Sequence, residues 1–145
     1  MKLNEIQDMW KEDSKIDETD LGRESIRTPL LHSKYLSLLS NAKLAVRRAE
    51  SEYLQLRRVK WRYYRGELSR EELTNLNWEQ WQGVKPMKNE MDQFLDGDED
   101  LNNMKVKIEY LQTMLYLLES ILGQIKARDW QLKTMLDHKR FLAGN

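Results

Sequence analysis

Apolar residues in the last third of the chain follow the most regular spacing in the sequence. Between positions 101 and 136, eleven residues recur at alternating intervals of three and four, and all except Asp129 are apolar. A seven-residue repeat sustained in this way keeps one apolar seam on a partner helix and is typical of coiled coils. We predict a helix over about 98–143 that mediates oligomerisation. The apolar seam residues are Leu101, Met104, Ile108, Leu111, Leu115, Leu118, Leu122, Ile125, Leu132 and Leu136.

Two further features of this seam bear on its partners. Asp129 takes one seam position, and a polar residue buried in a coiled coil can fix the register or pair with a neighbouring cation. We expect Asp129 to have one of these roles. Met114 and Ile121 lie beside the seam and widen the apolar face. A face of this width favours a bundle of more than two helices, or an oligomer in which each helix touches two neighbours.

A second long helix is predicted over about 29–65. Thr28 and Pro29 form a typical helix start, because a hydroxyl can cap the first turn and the N–H that proline lacks would be unbonded there. Apolar and small residues then recur at helical spacing as far as Tyr63, and Gly66 is a typical helix stop. This helix contains the most basic part of the chain.

The remaining segments are shorter. Residues 4–14 are predicted to form an amphipathic helix, and the connector at 66–97 is interrupted by glycines and a proline. Ser69 begins a capping-box sequence within the connector. The acidic run at 96–100 suits the start of the next helix, because the helix dipole favours negative charge there. Together these elements predict a single all-α domain over residues 1–145.

Composition supports the all-α class and narrows the compartment. Charged residues make up 33% of the chain, with six glycines and two prolines, a balance that favours long helices. The absence of cysteine excludes disulfides and cysteine-ligated zinc and fits a reducing compartment. Acidic residues interrupt the N-terminus where a signal peptide needs an apolar core, and no uncharged stretch has the length of a membrane span. We expect a soluble, unexported protein with no membrane partner.

Charge is unevenly distributed although the formal net charge is zero. Between Lys43 and Arg65 eight basic residues occur with two acidic ones, whereas residues 67–100 contain ten acidic and three basic residues. The basic segment ends in RRVKWRYYRG, residues 57–66, where five cations and three aromatic residues occur without an acid. On a helical wheel all five cations fall in one broad arc that also contains Trp61 and Tyr64.

This basic face has two interpretations. Single-stranded nucleic acid is bound by cations that follow the phosphates and by aromatic rings that stack on bases. Alternatively, the face is solvated and its aromatic residues pack on a neighbouring helix. Lys43 and Arg47 lie on the same side and would extend a nucleic-acid track. The candidate binding residues are therefore Lys43, Arg47, Arg57, Arg58, Lys60, Trp61, Arg62, Tyr64 and Arg65.

Residues that could support catalysis or hold a cofactor are sparse. The sequence contains no glycine-rich phosphate loop, no HExxH motif and no calcium loop. Neither His32 nor His138 has a recognisable base partner or co-ligands in the sequence. We therefore expect no enzymatic activity, no metal and no cofactor.

Six short segments of the chain carry a family resemblance. They are MKLNEIQ at 1–7, IDETDL at 16–21, SKYL at 33–36, YYRG at 63–66, IKAR at 125–128 and RFLAG at 140–144. Their order and spacing resemble those of the UvsY family, the recombination mediator proteins of tailed phages. The connector at 67–97 departs from the family pattern.

The resemblance implies a ring-like homo-oligomer of six or seven subunits, built on helical coiled coils, that binds single-stranded DNA in the host cell cytoplasm. It also implies that the protein helps the phage RecA-like recombinase to displace the phage single-stranded DNA-binding protein in recombination and repair. In the family, a lysine and an arginine one residue apart, just before a Tyr-Tyr pair, bind DNA. The matching residues here are Arg58 and Lys60, with the two types exchanged. Trp61, Arg62 and Arg65 are additions around that pair.

A second hypothesis is a structural coiled-coil scaffold or assembly protein that does not bind nucleic acid. In such a protein the basic face would be solvated, or would pair with acidic segments of a neighbouring copy.

Overall fold

The computed structural model describes residues 1–144, which contain six α-helices and no β-strand. The α-helices are α1 (Leu3–Asp13), α2 (Leu21–Tyr64), α3 (Arg70–Leu76), α4 (Met91–Asp96), α5 (Glu99–Lys126) and α6 (Arg128–Leu142), and a 3-10 turn at Lys88–Glu90 precedes α4. The all-α class is confirmed. The described residues form two compact units, and the single-domain organisation stays a prediction.

The first unit consists of residues 1–44 together with the described residues from Gln112 onward. Its core is formed where α1 and the first half of α2 pack against α5. The buried apolar residues of this core are Ile6, Leu31, Tyr35, Leu39, Ala42, Met114, Leu118, Ile121, Leu122 and Ile125. Trp10 meets Tyr35 edge to face, with 5.4 Å between the ring centroids. The amphipathic N-terminal helix predicted over 4–14 is thus present and packed.

Helix α2 begins eight residues earlier than the Thr28-Pro29 signal predicts. The side chain of Asp20 caps it by accepting a hydrogen bond of 3.1 Å from the backbone N–H of Arg23. Pro29 therefore lies inside the helix, where it removes one intrahelical hydrogen bond. The predicted start was wrong for two reasons. Asp20 caps the helix two turns before Thr28, and contacts from α6 hold the turns around the proline.

Those contacts come from Arg128, whose side chain is 2% exposed. Its Nη2 donates hydrogen bonds of 2.8 Å to a carboxylate oxygen and to the backbone carbonyl of Glu24, and its Nε donates to the Thr28 hydroxyl at 3.0 Å. Burial by itself raises the pKa of Glu24, but the hydrogen bonds from Arg128, from the backbone at Asp17 and from Arg27 outweigh it and lower the pKa. One guanidinium therefore joins the first turn of α6 to α2 next to Pro29.

The C-terminal helix predicted over 98–143 is interrupted at Ala127, between α5 and α6. Ala127 itself keeps helical backbone hydrogen bonds on both sides: its N–H donates to the Gly123 carbonyl at 3.3 Å, and its carbonyl accepts from the Gln131 N–H at 3.0 Å. Asp129 is exposed, so the expectation that it is the buried polar residue of the seam was wrong. Arg128 is the buried residue, because the local break turns it, and not its neighbour, toward α2.

The second unit consists of Ala45–Leu111. Its core contains the buried side chains of Tyr64, Met91, Leu95 and Leu101, with half-buried aromatic residues around them. In the connector, the capping box is confirmed, because Ser69 and Glu72 exchange side chain to backbone hydrogen bonds of 3.1 and 3.3 Å. Asn77 ends α3 in the left-handed conformation, with φ of 58°.

The seam residues of α5 and α6 are largely used within the chain. Leu101, Leu118, Leu122, Ile125 and Leu132 are buried in the units just described, where they leave no surface for another copy. Four others are half-buried and Leu136 is exposed; the half-buried residues are Met104, Ile108, Leu111 and Leu115. Oligomerisation through this seam stays a prediction. Large exposed apolar side chains also occur on these helices, namely Val106, Tyr116, Trp130, Phe141 and Leu142.

We predict that Arg128→Leu destabilises the first unit. The substitution removes the buried guanidinium partner of Glu24 and leaves only the contact with the half-exposed Arg27. Removing one partner of a buried ion pair costs about 3–5 kcal/mol, and the remaining contact with Arg27 places the expected loss at the lower end of that range. Urea denaturation at fixed protein concentration measures the loss. Arg140→Leu, at an exposed position of the same helix, is the control and should change the free energy of unfolding little. Equal stability of both variants would contradict a structural role for the buried pair.

Candidate nucleic-acid interface

The basic residues at the end of α2 divide into two groups by their surroundings. Arg47, Arg48 and Arg58 are exposed and have no hydrogen-bond or ion-pair partner for their side chains among residues 1–144. The other cations contact acidic or carbonyl oxygens of the connector and of α5; these are Arg57, Lys60, Arg62 and Arg65. Only the first group can offer a full positive charge to an external anion without breaking an internal contact.

Arg47 and Arg58 lie on one face of α2. They are eleven residues apart, which is close to three full helical turns of about 3.6 residues. Leu54 lies between them on the same face and is 64% exposed. We call this face the exposed basic row. Lys43, which belongs to the first unit, is exposed and precedes Arg47 by four residues.

A shallow cleft of about 350 Å³ opens beside the exposed basic row. Its lining residues are Arg47, Glu50, Ser51, Tyr53, Leu54 and Ile108. Three of these contribute apolar surface, and the ammonium of Lys105 lies 5.8 Å from the centre of the Tyr53 ring. The cleft therefore combines apolar walls with one lining cation, Arg47, and one lining carboxylate, Glu50. The apolar walls and the cation are features that an unstacked base and its phosphate require.

Lys60 is buried and points away from this row. Its side chain is 8% exposed, and its ammonium lies 2.8 Å from Asp100 and 3.1 Å from Asp98. The same ammonium lies 4.3 Å from the centre of the Trp78 ring, a cation–π contact. Burial alone lowers the pKa of Lys60, but the hydrogen bonds to Asp100 and Asp98 outweigh it, so the pKa is raised.

Asp98 organises the surroundings of Lys60. Its carboxylate accepts hydrogen bonds from the Tyr64 hydroxyl at 2.6 Å and from the Leu101 backbone N–H at 2.9 Å, in addition to the contact with Lys60. Burial raises the pKa of Asp98, but these donors together outweigh it and lower the pKa. The pKa of Tyr64 is raised, first by its burial and then by the hydrogen bond that it donates to Asp98. Asp98 thus caps α5 and ties it to α2. We call Lys60, Tyr64 and Asp98 the buried clamp.

Removing one partner of a buried ion pair costs about 3–5 kcal/mol. A new hydrogen bond to a charged group contributes about 1.5–3 kcal/mol. Transfer of Lys60 from Asp98 to a phosphate would therefore be unfavourable, since the Asp98 carboxylate would be left buried without its cation.

Three arginines of the predicted site contact the connector. Arg62 forms two hydrogen bonds with the Glu72 carboxylate, of 2.7 and 2.9 Å. Arg65 donates to the backbone carbonyl of Pro86 at 2.9 Å. Arg57 lies 3.2 Å from Asp92, a carboxylate that is 80% exposed. Exposed pairs of this kind contribute at most about 1 kcal/mol each, so an incoming phosphate can compete for Arg57 and Arg62.

The aromatic residues of the basic segment pack into the second unit. Tyr64 is 9% exposed and meets Trp81 edge to face at 4.9 Å between ring centroids. Tyr63 meets Trp78 at 5.2 Å in the same manner. Trp61 is half-buried against this core. The structure therefore places Tyr64 where it cannot stack on a base. The aromatic residues of the basic segment pack on neighbouring elements, as the second interpretation of the basic face expects.

The nine sequence-predicted residues are thus not brought together on one surface. Sequence periodicity did not single out three features of the site: the exposed Arg48, the exposed Leu54 and the buried Asp98. The separation of Arg58 from Lys60 was visible in the sequence, because residues two apart on a helix point about 160° away from each other. The broad arc drawn on the wheel was too wide to define one binding face.

Two other properties of residues 1–144 bear on function. None of their helices combines the length and apolar character of a membrane span. Within the same residues, no three His, Asp or Glu side chains are grouped to hold a metal ion.

Comparisons with known proteins agree with one another. The family model described as "Recombination, repair and ssDNA binding protein UvsY" matches residues 9–145. The recombination protein uvsY of Enterobacteria phage T4 is 28% identical over 144 residues, which cover 99% of each chain. Two crystal structures of the bacteriophage T4 recombination mediator protein UvsY have TM-scores of 0.82 and 0.83.

The identity in these two structural matches is 26% and 25%, and they cover 99% and 97% of this chain and 98% and 99% of the T4 chains. These matches confirm the resemblance found in the sequence. They do not favour the scaffold hypothesis.

We predict that Asp98 makes the second unit sensitive to acid. Because its folded-state pKa lies below the ordinary value of 3.8, its stabilising contribution is present above that value and is lost as the pH falls through the folded-state pKa. Asp98→Asn should lower stability at pH 7 and should also flatten the decline of stability below about pH 4. Urea denaturation at several pH values, followed by tryptophan fluorescence, measures both effects. The exposed Asp96→Asn is the control, and an unchanged acid profile in Asp98→Asn would contradict the prediction.

Proposed function

This chain belongs to the UvsY family of recombination, repair and single-stranded DNA binding proteins, and on that premise we propose that its exposed basic row is the surface that holds the DNA strand. The chain is a recombination mediator protein by sequence and by structure. The observation that carries the proposal is the pair Arg47 and Arg58, both exposed and unpaired among residues 1–144 and on one face of α2.

The strand runs along α2 in this proposal. Lys43, Arg47 and Arg58 neutralise phosphates, and Arg48 adds to the local positive field. Arg57 and Arg62 can also bind phosphates if they release the exposed carboxylates of Asp92 and Glu72. Trp61 and Arg65 can contact DNA only through the exposed parts of their side chains. Each neutralised phosphate releases counterions, so binding weakens as salt rises.

The exposed basic row of one chain offers few free cations, so we include a homo-oligomer in the proposal. Several copies of the exposed basic row, held in a ring of six or seven subunits as the family resemblance implies, act at high effective concentration on one strand. The exposed apolar residues of α5 and α6 supply surface for contacts between copies. Trp130 and Phe141 are 73% and 78% exposed and lie on one face of α6, since they are eleven residues apart.

The bound strand is then passed to a recombinase. In this proposal the oligomer weakens the hold of the phage single-stranded DNA-binding protein and offers a short, extended strand on which the RecA-like recombinase assembles. The chain acts by binding alone and catalyses no reaction, and it acts in the host cell cytoplasm. The acidic segment 67–100, which comprises most of the connector and the start of α5, is the candidate surface for protein partners because it carries most of the exposed negative charge of the second unit.

We predict that Arg47→Ala combined with Arg58→Ala weakens binding to single-stranded DNA. Each lost charged contact of about 1.5–3 kcal/mol corresponds to roughly tenfold or more in affinity. The slope of log affinity against log salt should become shallower by about 0.7 for each lost phosphate contact. Titration of a labelled oligonucleotide at several salt concentrations measures both quantities.

The matched control for this experiment is Arg70→Ala combined with Lys88→Ala. It removes the same charge from exposed positions of the connector and should leave the salt slope unchanged. Equal weakening by the two double variants would show a general charge effect and would contradict the assignment of the row.

We also predict that Trp130→Glu combined with Phe141→Glu reduces the oligomer mass. Carboxylates at an apolar interface are left without partners, which disfavours association. Sedimentation should detect smaller species, and DNA affinity should fall because fewer rows act together. Gln124→Glu combined with Gln131→Glu adds the same charge at other exposed positions. An unchanged mass in the first variant would rule out this face as the interface.

A further inference from the structure

Lys60 has a different role from Arg58, although the family resemblance pairs them as DNA-binding residues. We propose that Lys60 does not contact DNA and is instead a positioning residue, which holds the end of α2 so that Arg58 and the exposed basic row face the strand. The inference rests on the proposed function of the row. Of the two residues that match the family's DNA-binding pair, Arg58 then contacts DNA and Lys60 positions the helix that carries Arg58.

The geometry of the helix separates the two side chains. Residues two positions apart in an α-helix point in directions about 160° apart. Arg58 is exposed, and Lys60 is 7% exposed and directed into the second unit. A strand that follows the Arg58 face along α2 therefore does not reach the Lys60 ammonium.

The donors of Lys60 are already engaged. Its ammonium has three N–H groups, and two carboxylates lie within 3.1 Å of it, from Asp98 and Asp100. The Trp78 ring covers it at 4.3 Å. A phosphate would have to displace both carboxylates and the ring, and Asp98, which is 4% exposed, would remain as a buried charge without its cation.

The contacts of Lys60 fix how α2 is rotated about its own axis. Asp98 caps α5 through Leu101 and also accepts the Tyr64 hydroxyl. Lys60 and Tyr64 lie four residues apart on α2, so two successive turns are held against the first turn of α5. Because the helix is rigid over this distance, the same contacts determine where Arg58 points.

A pair of compensating substitutions separates positioning from contact. Lys60→Met combined with Asp98→Asn removes the buried charges together. The asparagine Oδ1 can still accept from the Leu101 N–H, and its side-chain NH2 can donate to the Tyr64 hydroxyl oxygen. We expect this double variant to bind single-stranded DNA with the salt slope of the native protein and with an affinity within about threefold of it. Lys60→Met alone leaves Asp98 without its cation and should lower both thermal stability and affinity, again with the native slope.

Arg58→Met is the matched comparison. It should make the salt slope shallower by about 0.7 for each phosphate contact that is lost, and Asp98→Asn should not restore it. A slope in the Lys60→Met, Asp98→Asn variant as shallow as that of Arg58→Met would overturn the positioning role. If the native protein binds with no salt dependence, the proposed function itself fails, and the two failures are therefore distinguishable.

Amine labelling of the native protein gives a second test that needs no variant. With an acetylating reagent and mass mapping, Lys60 should stay unmodified with and without an oligonucleotide, whereas the exposed Lys43 should be modified and then protected by the DNA. Lys60 that is modified in the free protein and protected by DNA would identify it as a contact. Lys60 that becomes modified only when DNA is bound would show that the buried clamp opens. Either result overturns the proposal.

Discussion

The packing of the second unit depends on the buried carboxylate of Asp98. It is almost fully buried and is surrounded by three donors: the Lys60 ammonium, the Tyr64 hydroxyl and the Leu101 backbone N–H. A buried carboxylate without such partners would be strongly destabilising. The folded arrangement must therefore bring α2 and the start of α5 together in one register. The direction of every cation at the end of α2 follows from that register.

A similar contact organises the first unit. There, Arg128 is the buried cation and Glu24 the buried anion, and Thr28 takes the place of a third partner. Buried ion pairs add little net stability compared with well-packed apolar residues, but they strongly disfavour any packing that separates them. This property suits long helices, whose repeating apolar faces fit several registers almost equally well. In each unit, apolar contacts stabilise the packing of the helices, and one buried ion pair selects the register of that packing.

The sequence predicted the parts of the fold that depend on local or periodic signals. The helical class, the N-terminal helix and the capping box at Ser69 follow from neighbours within a few residues. The start of α2 after Asp20 and the break at Ala127 did not follow, and the contacts at both places involve Arg128, which reaches Glu24 from 104 residues away. The same holds for Lys60, whose burial depends on an aspartate 38 positions later in the sequence. Charge and periodicity described the basic segment correctly, but only tertiary partners decide which cations are free.

The separation of charge along the chain has a consequence for how it binds a polyanion. Much of the excess positive charge of α2 is neutralised by the acidic segment 67–100, through Lys60 with Asp98, Arg62 with Glu72, and Arg57 with Asp92. The contacts that fold the second unit therefore use cations of α2 that would otherwise be available to DNA, and few remain free in the exposed basic row of each chain. A protein of zero net charge has no long-range attraction to add to them. Strong binding then requires that the free cations be repeated along the strand, so the internal neutralisation that stabilises one subunit makes DNA affinity depend on the number of subunits that act together.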